Sequence, residues 1–154
     1  GGNGKRTLTL LDKELEKSAR NAGKRVVALE SNKEQLDIFD AMPPDVQLEY
    51  LDQAMTEHSE LDEELEKMTS YYLSGNTGCI ACDLEETLED VSATLSKIMT
   101  TDLIYIRNHR MVKRMLPELV KGNAFIGIGA LHLPGEEGVL SLLEEQGYVI
   151  ERKY

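Results

Sequence analysis

The chain has 154 residues, enough for one domain with a core, and its 41% hydrophobic and 29% charged side chains suit a globular protein rather than a disordered or fibrous one. A formal net charge of −11, with no Lys/Arg cluster on one face, argues against nucleic acid or an anionic membrane as the main partner. No stretch reaches the ~18 consecutive apolar residues of a membrane span, and Gly1 to Arg6 holds no signal-type apolar run.

Leu8, Leu11, Leu15 and Ala19, with Leu10 beside them, recur at spacings of three and four and predict a helix ending near Asn21-Ala22-Gly23. Lys24-Arg25 leads into Val26-Val27-Ala28-Leu29, a β-branched run suited to a buried strand that closes on Glu30. Ser31 or Asn32 caps the next helix, with Leu36 and Phe39 inward. Pro43-Pro44-Asp45 breaks that helix and starts another, on Val46, Leu48, Leu51 and Met55. A further helix holds Leu61, Leu65, Met68, Tyr72 and Leu73, and Gly75 to Gly78 makes a turn. After Asp83 the spacing predicts an amphipathic helix on Leu84, Leu88, Val91, Leu95 and Ile98. Asp102 then caps one more, running to about Lys121. Beyond Gly122-Asn123, Phe125-Ile126-Gly127-Ile128 reads as a strand. A turn carrying His132, a helix through Val139-Leu143 and a second strand at Gly147-Glu151 complete a β-α-β unit.

The expected fold is therefore α/β: helix-rich, with a small, mostly parallel sheet of about three strands ending in that β-α-β unit. Three strands are a thin layer for some seven helices. Further strands are expected, from a larger sheet or from a homodimer that completes it. No internal repeat or low-complexity linker divides the chain, so residues 1–154 read as one domain. The missing initiator Met suggests a processed or excised piece.

Three places carry candidate chemistry. In open α/β sheets, ligands gather at the carboxyl ends of strands. His132 sits in the first strand-to-helix turn of the β-α-β unit, where it can be a metal ligand, a general base or an electrostatic contact. Glu30 closes another apolar run; it meets His132 if the two strands are parallel neighbours, and otherwise simply faces water. The third place is the helix from Asp102. Its apolar stripe is Ile104, Met111, Val112, Met115 and Leu119; Asn108 falls on that stripe by spacing and Arg107 borders it. A buried Asn must find partners or cost roughly 1–3 kcal/mol, and a buried Arg needs an anion. Either both point into a polar cleft, or Asn108 caps a loop and Arg107 snorkels to water. Arg110, Lys113 and Arg114 read as a solvated face, His109 points away from the stripe, and His58 lies in an acidic exposed stretch.

Cys79 and Cys82 are spaced C-x-x-C, but a redox reading needs a helix starting at the first cysteine within a thioredoxin-like unit. Zinc would need two further ligands nearby. The pair reads as incidental, or as a local disulfide in an oxidising compartment.

In order along the chain come Leu11-Asp12, Ala19-Arg20-Asn21-Ala22-Gly23-Lys24, Leu29-Glu30 with Glu34-Gln35, and Tyr72-Leu73-Ser74-Gly75-Asn76. Arg107-Asn108, Gly129-Ala130-Leu131-His132-Leu133-Pro134-Gly135 and Gly147-Tyr148-Val149-Ile150 follow. In this order and spacing, from about Leu11 to Tyr154, the chain resembles the TraB/PrgY/GumN family, which includes the Tiki proteases of animals. The resemblance implies a metal-dependent peptidase acting on a peptide or protein. Its active site joins two Gly-x-x-His motifs, a glutamate and an arginine, matched here by His132, Glu30 and Arg107. It implies a divalent ion of the Mn²⁺ or Co²⁺ type, with His132 and Glu30 as candidate metal ligands and Asn108 and Gln35 as candidate substrate contacts. Such a metal would polarise a carbonyl and acidify a bound water, and the arginine would stabilise an oxyanion. Relatives suggest an extracytoplasmic or membrane-associated setting. The family's other Gly-x-x-His is missing: the only one here spans 129–132. The chain is therefore expected to be the carboxyl-terminal part of a longer domain, with at most part of a metal site and weak or no catalysis.

Two other classes compete. Gly127-Ile128-Gly129-Ala130-Leu131-His132 imitates the dinucleotide fingerprint G-x-G-x-x-G, with Glu151 near the place of a ribose-binding acid. His132 stands where a small residue is needed for close packing, and Glu136 and Glu137 would repel a pyrophosphate at the helix start. The other class is non-catalytic. Some bacterial relatives are tied to pheromone shut-down, for which sequestering a peptide in the acidic, helix-rich middle from Pro43 to Asp102 would suffice.

Overall fold

The computed structural model describes residues 11–57 and 61–153. Leu8, Leu10 and His58, which entered the reading above, lie outside them. Ten helical elements follow in chain order: α1 (Leu11–Asn21), α2 (Asn32–Asp40), α3 (Pro44–Glu57), α4 (Leu61–Leu73), α5 (Thr77–Thr87), α6 (Ala93–Lys97), a π-helical segment (Ile98–Tyr105), α7 (Ile106–Lys121), a 3-10 turn (Ala130–His132) and α8 (Val139–Glu145).

The helix ends follow local chemistry. Gly23 terminates α1 with φ +66°, and Lys24 N–H reaches back to the Ala19 carbonyl at 2.9 Å, satisfying one of the orphan carbonyls of the last turn. At α2, Ser31 Oγ accepts from Glu34 N–H at 3.3 Å while the Glu34 carboxylate accepts from Ser31 N–H at 2.9 Å. This reciprocal cap contributes about 1 kcal/mol. Pro44 opens α3, where its missing N–H costs nothing. Two boundaries differ from expectation. The helix expected after Asp83 starts earlier, at Thr77 under an Asn76 cap, and stops at Thr87. Ser92 then caps a new start, assisted by Glu49, which accepts from the Ser92 N–H and hydroxyl. From there the helical chain runs unbroken from Ala93 to Lys121, so Asp102 is no cap: it lies inside the π-helical segment.

Two apolar clusters form the core. In one, Met111, Val112 and Met115 of α7 pack on Val139, Leu142 and Leu143 of α8. In the other, Met42 and Val46 pack on Leu95 and Ile98. Each fully buried side chain of this size stabilises by about 1.5–3 kcal/mol. The apolar positions expected to face inward on α3 and α4 are largely exposed. Val46 is buried, whereas Leu48, Leu51, Met55, Leu61, Leu65, Met68, Tyr72 and Leu73 are not.

The expected α/β fold is overturned. Among the described residues there is no strand, hence no three-stranded sheet and no C-terminal β-α-β unit; the architecture is helical. The three segments read as strands keep the alternation that suggested them. Leu29, Ile126, Ile128, Tyr148 and Ile150 pack on the α7–α8 core, while Val27, Phe125 and Val149 between them are exposed, the last two at 81% and 88%. Yet no backbone–backbone hydrogen bond joins one segment to another among the described residues. A period of two records which side chains are buried; a sheet also needs a ladder between neighbouring backbones, and that is absent.

Candidate functional site

The site is assembled where the start of α2 meets the start of α7. The Ser31 cap fixes the first turn of α2, which sets Glu30 just before it and Glu34 on it. On α7, Arg107, Arg110 and Arg114 recur at spacings of three and four and share one face. The two sets interlock. Arg107 donates to Glu30 from Nε, at 3.0 and 3.1 Å, and from Nη2 at 2.8 Å, while its Nη1 donates to the Leu103 carbonyl at 2.9 Å. Arg114 donates to Glu34 at 2.9 and 2.6 Å and to the Leu29 carbonyl at 2.7 Å. Arg110 stands between the acids, its Nη1 3.9 Å from Glu30 and 3.8 Å from Glu34, too far for a hydrogen bond. That Nη1 is also a buried nitrogen with no hydrogen-bond partner among the described residues. Gln35 Nε2 lies 3.5 Å from Glu30, a marginal contact.

Three cations against two anions fix the ionisation of the acids. Burial pushes the Glu30 carboxyl up, but the hydrogen bonds and charge of Arg107 outweigh it and hold the group below the usual carboxylate range. Glu34 is held far below that range by the Arg114 hydrogen bonds, then by the Ser31 backbone and hydroxyl.

Next to this cluster lies a relay of two buried residues. Asn108, fully enclosed in α7, donates from Nδ2 to the Glu137 carbonyl at 2.7 Å. A carbonyl only accepts, so this bond fixes which way the amide points. Asn108 Oδ1 is therefore the atom 2.7 Å from His132 Nδ1, and it can only accept. Nδ1 must carry the proton, and the neutral ring offers its lone pair at Nε2. Burial first, then the Arg107 charge, lower the His132 pKa, while Glu30 opposes them. The ring is neutral at neutral pH, in one tautomer.

All five residues singled out in the sequence, Glu30, Gln35, Arg107, Asn108 and His132, thus fall in one neighbourhood. Asn108 and Arg107 are partnered as their spacing required: one by a carbonyl and an imidazole, the other by a carboxylate. His109 is exposed and paired with Glu137 at 2.7 Å. Arg110 and Arg114 are not the solvated face they seemed. The signal that would have found them is the arginine recurrence at 107, 110 and 114, which needed the recurrence of Glu30 and Glu34 beside it.

With this geometry in place, the comparison with known families is decisive on one point: the TraB/PrgY/gumN family model matches residues 3–152, nearly the whole chain. The chain belongs to the TraB/PrgY/gumN family. No curated protein and no solved structure matches it. Among the described residues of this TraB/PrgY/gumN chain, no three His, Cys, Asp or Glu side chains gather as a metal would require. Both Glu30 oxygens accept from Arg107, and with Nδ1 taken by Asn108 the His132 ring presents Nε2. The dinucleotide context fails as well: Gly127 and Gly129 follow no strand, they open a three-residue 3-10 turn, and α8 begins only at Val139 with seven residues.

Proposed function

We propose that this TraB/PrgY/gumN chain serves peptide-bond hydrolysis, with His132 as the residue that handles the proton. The observation that carries the reading is the Asn108 relay, because an imidazole locked neutral with Nε2 bare is what a general base requires. In this reading His132 Nε2 takes a proton from water as the water oxygen bonds to the peptide carbonyl, then returns it to the departing amine. In this reading Arg110, whose Nη1 makes no hydrogen bond among the described residues, supplies the positive charge for the developing oxyanion. Arg107 already has its charge balanced by Glu30 and holds that carboxylate in place. Asn108 positions the base and Gln35 lines the approach. The divalent metal implied by the family resemblance would be held here by His132 and, sharing its oxygens with Arg107, by Glu30.

A second reading, peptide capture without cleavage, is favoured by a hollow of about 320 Å³ beside Arg110. Ile38, Met42, Ile98 and Ile106 give it an apolar floor, and Glu34, Asp37 and Asp102 an acidic rim. The test is cleavage of a fluorogenic peptide mixture, with and without Mn²⁺, by the protein and by His132→Ala. Hydrolysis by this site predicts a loss of about 10²-fold or more in the variant, the size of a general-base contribution. Equal cleavage by the two proteins would sink the reading. Peptide binding that survives with no cleavage in either would establish the second.

A further inference from the structure

The cysteine pair gains a different meaning from the fold. Cys79 and Cys82 both lie on α5, in its first two turns. Residues three apart on a helix are neighbours on one face. That face looks away from the buried one: Ile80 and Leu88 anchor α5 and the segment after it, whereas Cys82 is exposed and Cys79 half-buried. Both thiols are free. No third metal-binding side chain joins them among the described residues, so a dithiol rather than a metal site is the chemistry left. α5 also packs against the 3-10 turn that carries His132, and Lys67 ties it to α4 through Asp83.

We propose that Cys79 and Cys82 form a reversible dithiol–disulfide pair that exchanges with an external disulfide and acts on the His132 turn. The exposed Cys82 thiolate attacks one sulfur of a disulfide RSSR. A mixed disulfide forms, and the first RS⁻ leaves and takes up a proton. Cys79, having lost its proton to solvent, then attacks the Cys82 sulfur, closing the internal bond and releasing the second RS⁻. Two protein thiols are oxidised and one external disulfide is reduced to two thiols. Closure brings the Cβ atoms from the ~5–6 Å of helical neighbours to the ~4 Å of a disulfide. The first turns of α5 must tighten toward 3-10 geometry, in which residues three apart eclipse. The Asn76 cap, at 3.4 Å, is a long bond to hold against that change. Exposed Glu85 and Glu86 on the same helix favour a cationic disulfide over an anionic one.

Reduced protein treated with cystamine is expected to lose both thiols and 2 mass units, retaining no adduct. Cys79→Ser and Cys82→Ser are each expected to end with one stable cysteamine adduct, the other half of the cystamine leaving as free thiol. Wild-type protein that ends with one or two adducts, with both thiols unreacted, or as a cross-linked dimer would overturn the closure. The His132 ring resonances are expected to differ between the oxidised and reduced protein, and identical resonances would overturn the action on the turn. Neither readout depends on peptide cleavage, so the pair stands or falls separately from the hydrolytic reading.

Discussion

At the scale of single residues, the imidazole is set by its neighbours rather than by its own position. Asn108→Ala removes the acceptor of the buried His132 Nδ1 proton and the donor to the Glu137 carbonyl. A loss of about 1–3 kcal/mol is expected, read from the urea midpoint. The ring's nitrogen shifts should lose the pure Nδ1–H pattern at the same time. Acid should weaken the fold in two stages. The unfolded imidazole takes its proton near 6.5 and the folded one only at lower pH, so in that interval the unfolded chain holds more protons and is favoured. Glu30 behaves alike lower down. Its folded value lies below 4.5, so the stability it provides above that point is lost as pH falls through the folded value. Urea midpoints at about pH 7, 5.5 and 3 check this, with His132→Gln erasing the upper stage and Glu30→Gln reducing the lower, to which Glu34 also contributes. Asn108, Arg107, Glu30 and His132 were legible in the sequence because a polar residue on an apolar stripe, or at the end of an apolar run, demands a partner. The partners themselves were not legible. Arg114 meets Glu34 from 80 positions away, and no local pattern encodes a contact of that reach.

Among elements, the turn from the 3-10 segment into α8 is the tightest. A Cβ on Gly138 would run into the carbonyl oxygens of Pro134 and Leu133, both backbone atoms that cannot swing away. Gly138→Ala should therefore cost about 1–3 kcal/mol, the usual penalty of overpacking. It should also perturb Asn108, whose amide is held by Glu137 next door. A melting curve and the Asn108 side-chain amide resonances check it. Helices were read well where caps and breakers speak, as at Gly23, Ser31 and Pro44. The sheet was misread because Val27, Phe125 and Val149 alternate with buried neighbours as strand residues do. Burial on one side of an isolated segment yields the same alternation, and pairing leaves no mark in a single run of residues.

Across the whole molecule, stability is unevenly spread. The α7–α8 and α6–α3 contacts hold the two buried apolar clusters, whereas α1 and α4 bury no residue. Hydrogen exchange followed by mass spectrometry should show α7 and α8 amides protected longest and those of α1 and α4 exchanging early. Equal protection throughout would contradict this division. The unbroken helical run from Ala93 to Lys121, about 40 Å long at 1.5 Å per residue, joins the two cores: Leu95 and Ile98 sit in one, Met111 and Met115 in the other. Its π-helical stretch lies between them, and sharp bends in long helices concentrate at such stretches. The two cores are thus arms on a single shaft, and the shaft's natural pivot ends just before Arg107 and Asn108. The imidazole is held by Asn108 just beyond that stretch, so a bend there would move it, with the α7–α8 arm, relative to the other core.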